Sequence, residues 1–210
     1  MESRWSDDGA RRALDEWGPV VGETLALRTY TARLLGSDPT LVLHGGGNTS
    51  AKGRARTAVG EELEVLFIKG SGGDLATIDP AHGHPAVELA PLLRLRERDA
   101  LTDEQMVAEQ RRRLLDPGAS NPSIECLLHA FLPDAFVDHT HADAVLALAD
   151  QPDAERVCRE VYGRGLVFVP YVKPGFELAK ACAAAYDALG DEAEVIVLER
   201  HGVFTFGPDA

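Results

Sequence analysis

Three histidines in this sequence have the residue type and spacing that could bind a metal ion. His139 and His141 lie two positions apart, directly after the predicted strand 135–138. Alternate residues of an extended chain point to the same face, so both imidazoles can converge on one divalent ion such as Zn²⁺. His201 follows a second apolar strand and precedes Gly202, which allows close backbone approach. Three histidines with an open fourth position are typical of a catalytic zinc site, whereas a lone pair could simply be polar residues at a strand end.

Glu125 is the carboxylate that could act together with such an ion. It lies in the first turn of a predicted helix that Asn121 caps and Pro122 begins. A carboxylate there could be an ordinary charge at the positive end of the helix dipole. If it faces a metal ion instead, it is a candidate general base. His129, one turn later on the same helical face, is predicted to have a supporting role at most.

A second pair of histidines has the same spacing in a different setting. His82 and His84 are surrounded by Pro80, Gly83 and Pro85, a composition that predicts a loop. We therefore interpret this pair as part of a loop and not as a second metal site.

Two glycine-rich turns could hold an anion. Residues 45–50 follow a predicted strand at 41–44, and residues 70–74 follow a predicted strand at 63–69. Neither turn has the spacing of a P-loop or of a dinucleotide fingerprint. Each offers backbone N–H groups that could form a nest for a phosphate, together with Ser123 at a helix N-terminus. Lys69, or less favourably Lys52, could add a positive charge.

These motifs occur in an order that resembles a known family. They are Gly-Asn-Thr-Ser from Gly47, Lys-Gly-Ser-Gly-Gly from Lys69, Pro-Ser-x-Glu from Pro122, the His-x-His pair and a late His-Gly. The series spans residues 44–206 and resembles the class II aldolase/adducin family, which includes fuculose-phosphate and rhamnulose-phosphate aldolases and ribulose-phosphate 4-epimerase. The residues of these motifs are most similar to those of the branch in which a rhamnulose-phosphate aldolase is fused to a short-chain alcohol dehydrogenase.

The resemblance implies a fold and a set of site residues. The fold would be α/β, a three-layer αβα sandwich with a central mixed sheet, in one domain over residues 1–210. The zinc ligands would be His139, His141 and His201, and the catalytic base would be Glu125. The residues that bind substrate phosphate would be Gly47, Asn48, Ser71, Gly72 and Ser123.

The sequence also departs from the family pattern in three places. Ile124 stands where the small aldolases have a second serine, which removes one hydroxyl from the phosphate pocket. The family's tyrosine proton donor has no clean counterpart, and Tyr162 is the candidate. Family domains continue past the late His-Gly, so we expect the domain to be truncated at its C-terminus.

The function that the resemblance implies is zinc-dependent cleavage of a ketose 1-phosphate similar to rhamnulose 1-phosphate. The products would be dihydroxyacetone phosphate and an aldehyde. Two alternatives stay open: an epimerase or dehydratase that uses the same zinc site, and a non-catalytic interaction module of the adducin type. The resemblance also implies a homo-oligomer, a tetramer in the family.

Composition narrows the range of partners. The formal charge of −13 disfavours nucleic acid, because no excess of Lys and Arg offsets the phosphates. No apolar run reaches the ~20 residues of a membrane helix, so no membrane partner is expected. Three widely spaced cysteines without a CxxC pair are typical of free thiols, which together with the polar N-terminus predicts a cytoplasmic protein.

The elements that must position these residues alternate along the chain. Apolar periodicity predicts helices at 10–35, 86–97, 102–115, 141–149, 153–162 and 175–189. Short apolar runs predict further strands at 166–169, 194–199 and 203–206. Interleaved strands and helices indicate an α/β or α+β layered domain.

Overall fold

The computed structural model describes residues 3–210, and seven of its strands form one mixed sheet. The strands are β1 (Asn48–Arg56), β2 (Glu62–Ile68), β3 (Ala86–Glu88), β4 (Phe136–Thr140), β5 (Leu166–Val169), β6 (Val195–Leu198) and β7 (Gly202–Gly207). Their order across the sheet is β3-β2-β1-β4-β7-β6-β5. Neighbouring strands are antiparallel except β5 and β6, which run parallel.

Eight α-helices in the described part of the chain cover this sheet. They are α1 (Asp7–Val21), α2 (Glu23–Gly36), α3 (Leu89–Arg94), α4 (Asp103–Arg112), α5 (Cys126–Phe131), α6 (Asp143–Ala149), α7 (Ala154–Tyr162) and α8 (Phe176–Leu189). None of these helices in residues 3–210 is long and apolar enough to cross a bilayer.

The alternation of side chains along the strands divides the helices into two layers. On β2, Leu66 and Ile68 pack with α3, α5 and α8, while Val65 and Phe67 pack on the other face against α2. Helices α6 and α7 cover that second face at β6, where Val197 packs with Ala149 and Cys158. The predicted three-layer αβα sandwich with a central mixed sheet is therefore confirmed.

Most predicted elements are confirmed to within a few residues. The strand at 166–169 and the helices α6, α7 and α8 lie where apolar periodicity predicts them. The predicted helix over 10–35 is instead two helices, because Gly22 adopts a φ of 84° that interrupts the first and begins the second. All three cysteines are buried free thiols, as expected.

The predicted strand at 41–44 is wrong. Residues 38–44 form turns instead, in which the Asp38 side chain accepts hydrogen bonds from the backbone N–H and the hydroxyl of Thr40. Such local side-chain bonds compete with strand pairing. The strand begins only at Asn48, so Asn48, Thr49 and Ser50 belong to β1 and not to the glycine turn.

The predicted helix start at Asn121 and Pro122 is also wrong, because α5 begins at Cys126 and Glu125 is its N-cap residue. The preceding segment pairs with the second glycine turn instead. Ser71 N donates to the Asn121 carbonyl at 2.7 Å, and Ser123 N donates to the Lys69 carbonyl at 3.0 Å. These long-range backbone bonds hold residues 121–123 in an extended conformation beside the turn.

A buried ion pair attaches α2 to the sheet. The Arg28 side chain is 1% exposed, and its Nη2 lies 2.7 Å from Asp138 Oδ1 on β4. Its Nη1 donates to the Ser50 carbonyl of β1 at 3.3 Å. One guanidinium therefore joins α2 to the central strand β4 and to its neighbour β1.

We expect Arg28→Ala to lower the free energy of unfolding by about 3–5 kcal/mol, because the change leaves a largely buried carboxylate without its partner. The exposed pair of Arg54 and Glu62 provides the control, since Arg54→Ala should cost less than about 1 kcal/mol. Urea denaturation of both variants measures the difference. Equal losses in the two variants would contradict the structural role of the Arg28 pair.

Candidate metal centre

The three predicted histidines meet at one point. His139 and His141 leave the end of β4 on the same face, and the tight turn between β6 and β7 returns His201 beside them. The Nε2 atoms of His139 and His141 lie 3.1 Å apart. One ring nitrogen from each of the three residues lies within 4.8 Å of the others. A metal ion is the kind of group that such convergence can hold.

The surroundings of His139 orient its ring. Its Nδ1 lies 3.1 Å from the Val203 carbonyl oxygen, which can only accept, so Nδ1 carries the proton. The Nε2 lone pair then faces His141 and His201, as in metal sites where a second hydrogen bond sets the tautomer. Phe204 stacks on the ring at a centroid distance of 4.3 Å, which limits rotation further.

Two glycines make room for these rings. A Cβ at Gly202 would lie 2.9 Å from His139 Cε1 and 3.1 Å from His141 Cδ2. A Cβ at Gly46 would lie 3.4 Å from His141 Nδ1. The backbone passes so close to the histidines that only glycine leaves the rings undisturbed at position 202.

Burial keeps the three histidines neutral. It lowers the pKa of His139 to about 3 and, opposed by the charge of Glu125, that of His201 to about 4. It also lowers the pKa of His141, against the opposing charge of Glu125. Neutral imidazoles are the form that ligates a metal ion, so the ligands need no deprotonation near neutral pH.

Glu125 faces the same point from the start of α5. Its Oε1 lies 3.2 Å from His201 Nε2, and its Oε2 lies 3.4 Å from His139 Nε2. The residue is 5% exposed, and Oε1 has no hydrogen-bond donor among the described residues. Three neutral nitrogens form a donor set that suits Zn²⁺ with a fourth position left open, and the unsatisfied carboxylate oxygen lies beside it.

A chain of buried hydrogen bonds holds Glu125 in place. Asn48 Nδ2 donates to Glu125 Oε2 at 2.6 Å, and His129 Nε2 donates to Asn48 Oδ1. Ser50 Oγ then donates to His129 Nδ1 at 2.8 Å. Burial lowers the pKa of His129 well below its ordinary value, which agrees with a neutral ring that donates on one side and accepts on the other.

Sequence reasoning missed most of this chain of bonds. Asn48, Ser50 and Lys52 alternate along β1 and therefore share the face that contacts α5. The period-two pattern Asn-x-Ser-x-Lys could have indicated that these side chains share one face of a strand. It was not used, because residues 45–50 were wrongly assigned to a turn. His129, predicted as no more than a supporting residue, connects two of these side chains to Glu125.

The structure brings the two glycine turns together. A Cβ at Gly45 would lie 3.4 Å from the Gly72 carbonyl oxygen. Gly47 has a φ of 64°, and a Cβ there would lie 2.7 Å from the His139 carbonyl oxygen, so this position requires glycine. Ser71 and Gly72 are exposed, while Ser123 is buried beside them with its Oγ 3.3 Å from Glu125 N.

Other candidate residues lie away from the triad. The second histidine pair is in a loop, as predicted: His82 is exposed and contacts Asp79, while His84 is buried with its Nε2 2.9 Å from Thr49 Oγ1. Thr49 is on the opposite face of β1 from Asn48, so His84 lies on the face of the sheet away from the three histidines. Tyr162 packs at the end of α7 against the cluster that contains Cys158.

Comparison with known proteins identifies relatives of this arrangement. Residues 27–210 match the model of the class II aldolase and adducin N-terminal domain family. The chain is 42% identical over 178 residues to a Bacillus subtilis (strain 168) protein described as the uncharacterized oxidoreductase YuxG. That match covers 85% of this chain and 26% of the relative, so the chain spans about a quarter of the relative's length.

Solved structures share the fold. The N-terminal class II aldolase domain of a conserved protein from Thermoplasma acidophilum superposes with a TM-score of 0.84 at 36% identity, covering 100% of this chain and 90% of that one. A sugar-phosphate aldolase from Thermotoga maritima superposes with a TM-score of 0.61 at 16% identity, covering 90% and 86% of the two chains. The second likeness concerns the fold alone.

We expect purified protein to bind about one zinc ion per chain, as a site of three histidines does. His139→Ala or His201→Ala should reduce this to less than about a tenth, because two ligands hold the ion too weakly. His82→Ala is the matched control, since His82 is exposed and away from the triad. Elemental analysis after dialysis measures the content. Equal zinc in His139→Ala and His82→Ala would contradict the site.

We expect stability to decrease as the pH is lowered from 7 to 5. Burial lowers the pKa of His84 from 6.5 to about 3, so the unfolded chain binds this proton over that range and the folded chain does not. His84 alone should remove about 2 kcal/mol between the two pH values. Urea denaturation in EDTA should therefore show a smaller pH dependence for His84→Gln. An unchanged dependence would contradict a buried neutral His84.

Proposed function

Because the chain belongs to the class II aldolase and adducin N-terminal domain family, we propose that it is a metal-dependent aldolase acting on a ketose 1-phosphate of the rhamnulose 1-phosphate type. The products are dihydroxyacetone phosphate and an aldehyde, which is lactaldehyde for rhamnulose 1-phosphate. The observation that carries this proposal is the position of Glu125, whose two carboxylate oxygens each contact a different histidine of the triad. A base beside a metal centre is what reversible carbon–carbon cleavage requires.

The metal ligands in this proposal are His139, His141 and His201. A zinc ion bound there would supply positive charge that polarises the substrate's carbonyl and adjacent hydroxyl oxygens. The chain's own contribution is to hold the three imidazoles neutral and oriented. Val203 and Phe204 orient His139, and the absence of a side chain at Gly202 lets the rings converge.

Glu125 moves a proton at C3 of the substrate. Cleavage breaks the bond between C3 and C4, the C4 hydroxyl loses its proton as the aldehyde carbonyl forms, and C3 gains a proton. We assign both proton transfers to Oε1 of Glu125, which accepts the C4 hydroxyl proton and then delivers a proton to C3. Oε1 is the oxygen without a hydrogen-bond donor among residues 3–210. Asn48 fixes the other oxygen, so the carboxylate presents a single free atom to the substrate.

The glycine turns would bind the phosphate of the substrate. In this proposal Gly47, Asn48, Ser71, Gly72 and Ser123 surround the phosphate, as the family resemblance implies. The Asn48 side-chain amide already binds Glu125 and His129. Ile124 is 40% exposed next to Ser123 and offers the substrate an apolar surface in place of a hydroxyl.

The Bacillus subtilis relative is much longer than the segment that it shares with this chain. The Bacillus subtilis protein is described as an oxidoreductase, and the chain matches 26% of its length. We propose that this domain supplies the aldolase step of such a protein, with the alcohol dehydrogenase part outside the chain. The aldehyde released by the aldolase is a substrate that a dehydrogenase of this kind can use.

We expect Glu125→Gln to lower kcat for ketose 1-phosphate cleavage by about 10²- to 10⁴-fold, the usual loss when a proton-transfer group is removed. Release of dihydroxyacetone phosphate from the zinc-loaded protein, coupled to its reduction, measures the rate. Glu177→Gln is the matched control, because Glu177 is exposed on α8. Zinc content should be the same in both variants, since neither residue is among the three ligands.

Two results would redirect the proposal. Interconversion of pentulose phosphates without release of dihydroxyacetone phosphate would favour an epimerase that uses the same site. Zinc binding with no turnover of any sugar phosphate would favour a non-catalytic module of the adducin type. Cleavage that survives Glu125→Gln at the full rate would remove the assignment of the base.

A further inference from the structure

The hydrogen-bond chain that ends at Glu125 has a fixed direction. A carboxylate oxygen only accepts, so Asn48 Nδ2 donates to Glu125 Oε2 at 2.6 Å. This orientation of the amide turns Asn48 Oδ1 toward His129 Nε2. An amide oxygen also only accepts, so Nε2 carries the proton of the His129 ring. The tautomer of His129 and the orientation of the Asn48 amide are therefore linked.

Ser50 supplies a donor to the other nitrogen of the His129 ring. Burial lowers the pKa of His129 well below its ordinary value, so the ring is neutral and Nδ1 is an acceptor. Ser50 Oγ lies 2.8 Å from Nδ1, which is the only acceptor for this hydroxyl among residues 3–210. A ring proton on Nδ1 would leave the buried hydroxyl without an acceptor. Ser50 therefore favours the tautomer that donates to Asn48.

The opposite tautomer of His129 would disturb Glu125. An unprotonated Nε2 would face the oxygen of the Asn48 amide, and two acceptors at hydrogen-bond distance repel each other. Rotation of the amide by half a turn would relieve that contact, but it would bring Asn48 Oδ1 against Glu125 Oε2. The carboxylate would then lose the one side-chain donor that it has among the described residues.

The fold holds both partners of the bond between Ser50 and His129. Ser50 lies on β1 between β2 and β4, and its carbonyl accepts a hydrogen bond from Arg28 at 3.3 Å. The His129 ring is 0% exposed and packs edge-on against Phe204 at a centroid distance of 5.3 Å. Strand pairing thus fixes the hydroxyl, and packing limits rotation of the ring.

His84 forms a similar pair on the opposite face of β1. Its Nε2 lies 2.9 Å from Thr49 Oγ1, and both residues are buried. Its Nδ1 has no hydrogen-bond partner among the described residues, so this ring orients no further side chain. His129 uses both nitrogens, and one of its partners contacts Glu125. The two rings are similarly buried and differ in whether their bonds continue to the metal centre.

We propose that His129 is a positioning residue for the base, and that Ser50 selects the tautomer through which it acts. Donation from His129 Nε2 keeps the Asn48 amide turned so that its Nδ2 holds Glu125 Oε2, which leaves Oε1 to face the metal centre. The consequence for catalysis rests on the proposed function, whereas the direction of the hydrogen bonds does not.

Nitrogen-15 NMR of the zinc-loaded full chain tests this direction without a substrate. Histidine is labelled, and the His129 ring signals are assigned by their loss in His129→Gln. We expect the proton on Nε2 and a hydrogen-bonded lone pair on Nδ1. Ser50→Ala should shift the Nδ1 signal, because the donor is lost, whereas Thr49→Val removes a hydroxyl from the opposite face and should leave it unchanged. A proton on Nδ1 in the wild type, or the same Nδ1 signal in Ser50→Ala, would overturn the inference.

Kinetics of ketose 1-phosphate cleavage test what the position of Glu125 contributes. We expect His129→Leu to lower kcat by about 10- to 100-fold, the loss that a misplaced catalytic group causes, with KM and zinc content unchanged. His129→Gln should restore most of the rate, because its side-chain NH2 group can donate to Asn48 Oδ1. Ser50→Ala should lower kcat by about 2- to 10-fold, as loss of one hydrogen bond does, and serves if His129→Leu does not fold. His84→Leu is the matched control, since it removes a similarly buried histidine and should keep the wild-type kcat.

The two experiments separate this inference from the proposed function. Wild-type kcat in His129→Leu, an equal loss in His84→Leu, or a loss that His129→Gln does not restore would overturn the positioning role. A His129 ring protonated on Nε2, with Nδ1 sensitive to Ser50→Ala, in a protein that cleaves no sugar phosphate would support the direction of the hydrogen bonds and refute the aldolase.

Discussion

Asn48 of β1 lies directly opposite His139 of β4, and this antiparallel register determines which side chains can meet at the centre of the molecule. Alternation then places Ser50 and Lys52 on the same face as Asn48, against α5, and places Asp138 on the opposite face with Arg28. A shift by one residue would exchange the two faces and move His139 and His141 away from Glu125. Arg28 and Asp138 form their ion pair on one face of the sheet, and the hydrogen-bond chain from Glu125 to Ser50 lies on the other face. Both depend on this one strand pairing.

The polar groups at the centre are buried, and they differ in whether the protein itself supplies all of their hydrogen-bond partners. Asn48, Ser50, His129 and Lys52 are satisfied by one another or by backbone carbonyls, which makes this part of the sheet a rigid support. Glu125 Oε1 and the Lys69 ammonium keep free capacity and face the triad and the glycine turns. A buried polar group without a hydrogen-bond partner lowers the stability of the fold, so it is unfavourable in a purely structural region. A binding site needs such groups, because the ligand supplies the missing partner. The difference separates the polar groups that position the site from those that a ligand would complete.

Local pattern was enough to predict that His139 and His141 face the same point, because the i, i+2 spacing has the same meaning in any strand. It was also enough for the helices α6, α7 and α8, whose apolar periodicity is strong. It failed for Leu41 to His44, where an Asp38 side chain closes local turns, and for Asn121 to Ser123, which pair with a turn fifty residues earlier. Pairing between distant segments leaves no local periodicity, so apolar runs and capping residues alone suggested a strand and a helix start that do not form.

The sequence by itself determined the kinds of chemistry available: three imidazoles, one carboxylate among apolar residues, two glycine turns and two lysines that follow strand residues. Only the tertiary structure decided how these groups are used. It showed that Asn48 binds Glu125, that His129 connects Asn48 to Ser50, and that of the two lysines Lys52 is fully bonded while Lys69 is not. The physical reason is that residue type and spacing describe what a side chain can donate or accept. Which partners satisfy it, and which donors remain free for a ligand, depends on segments that only folding brings together.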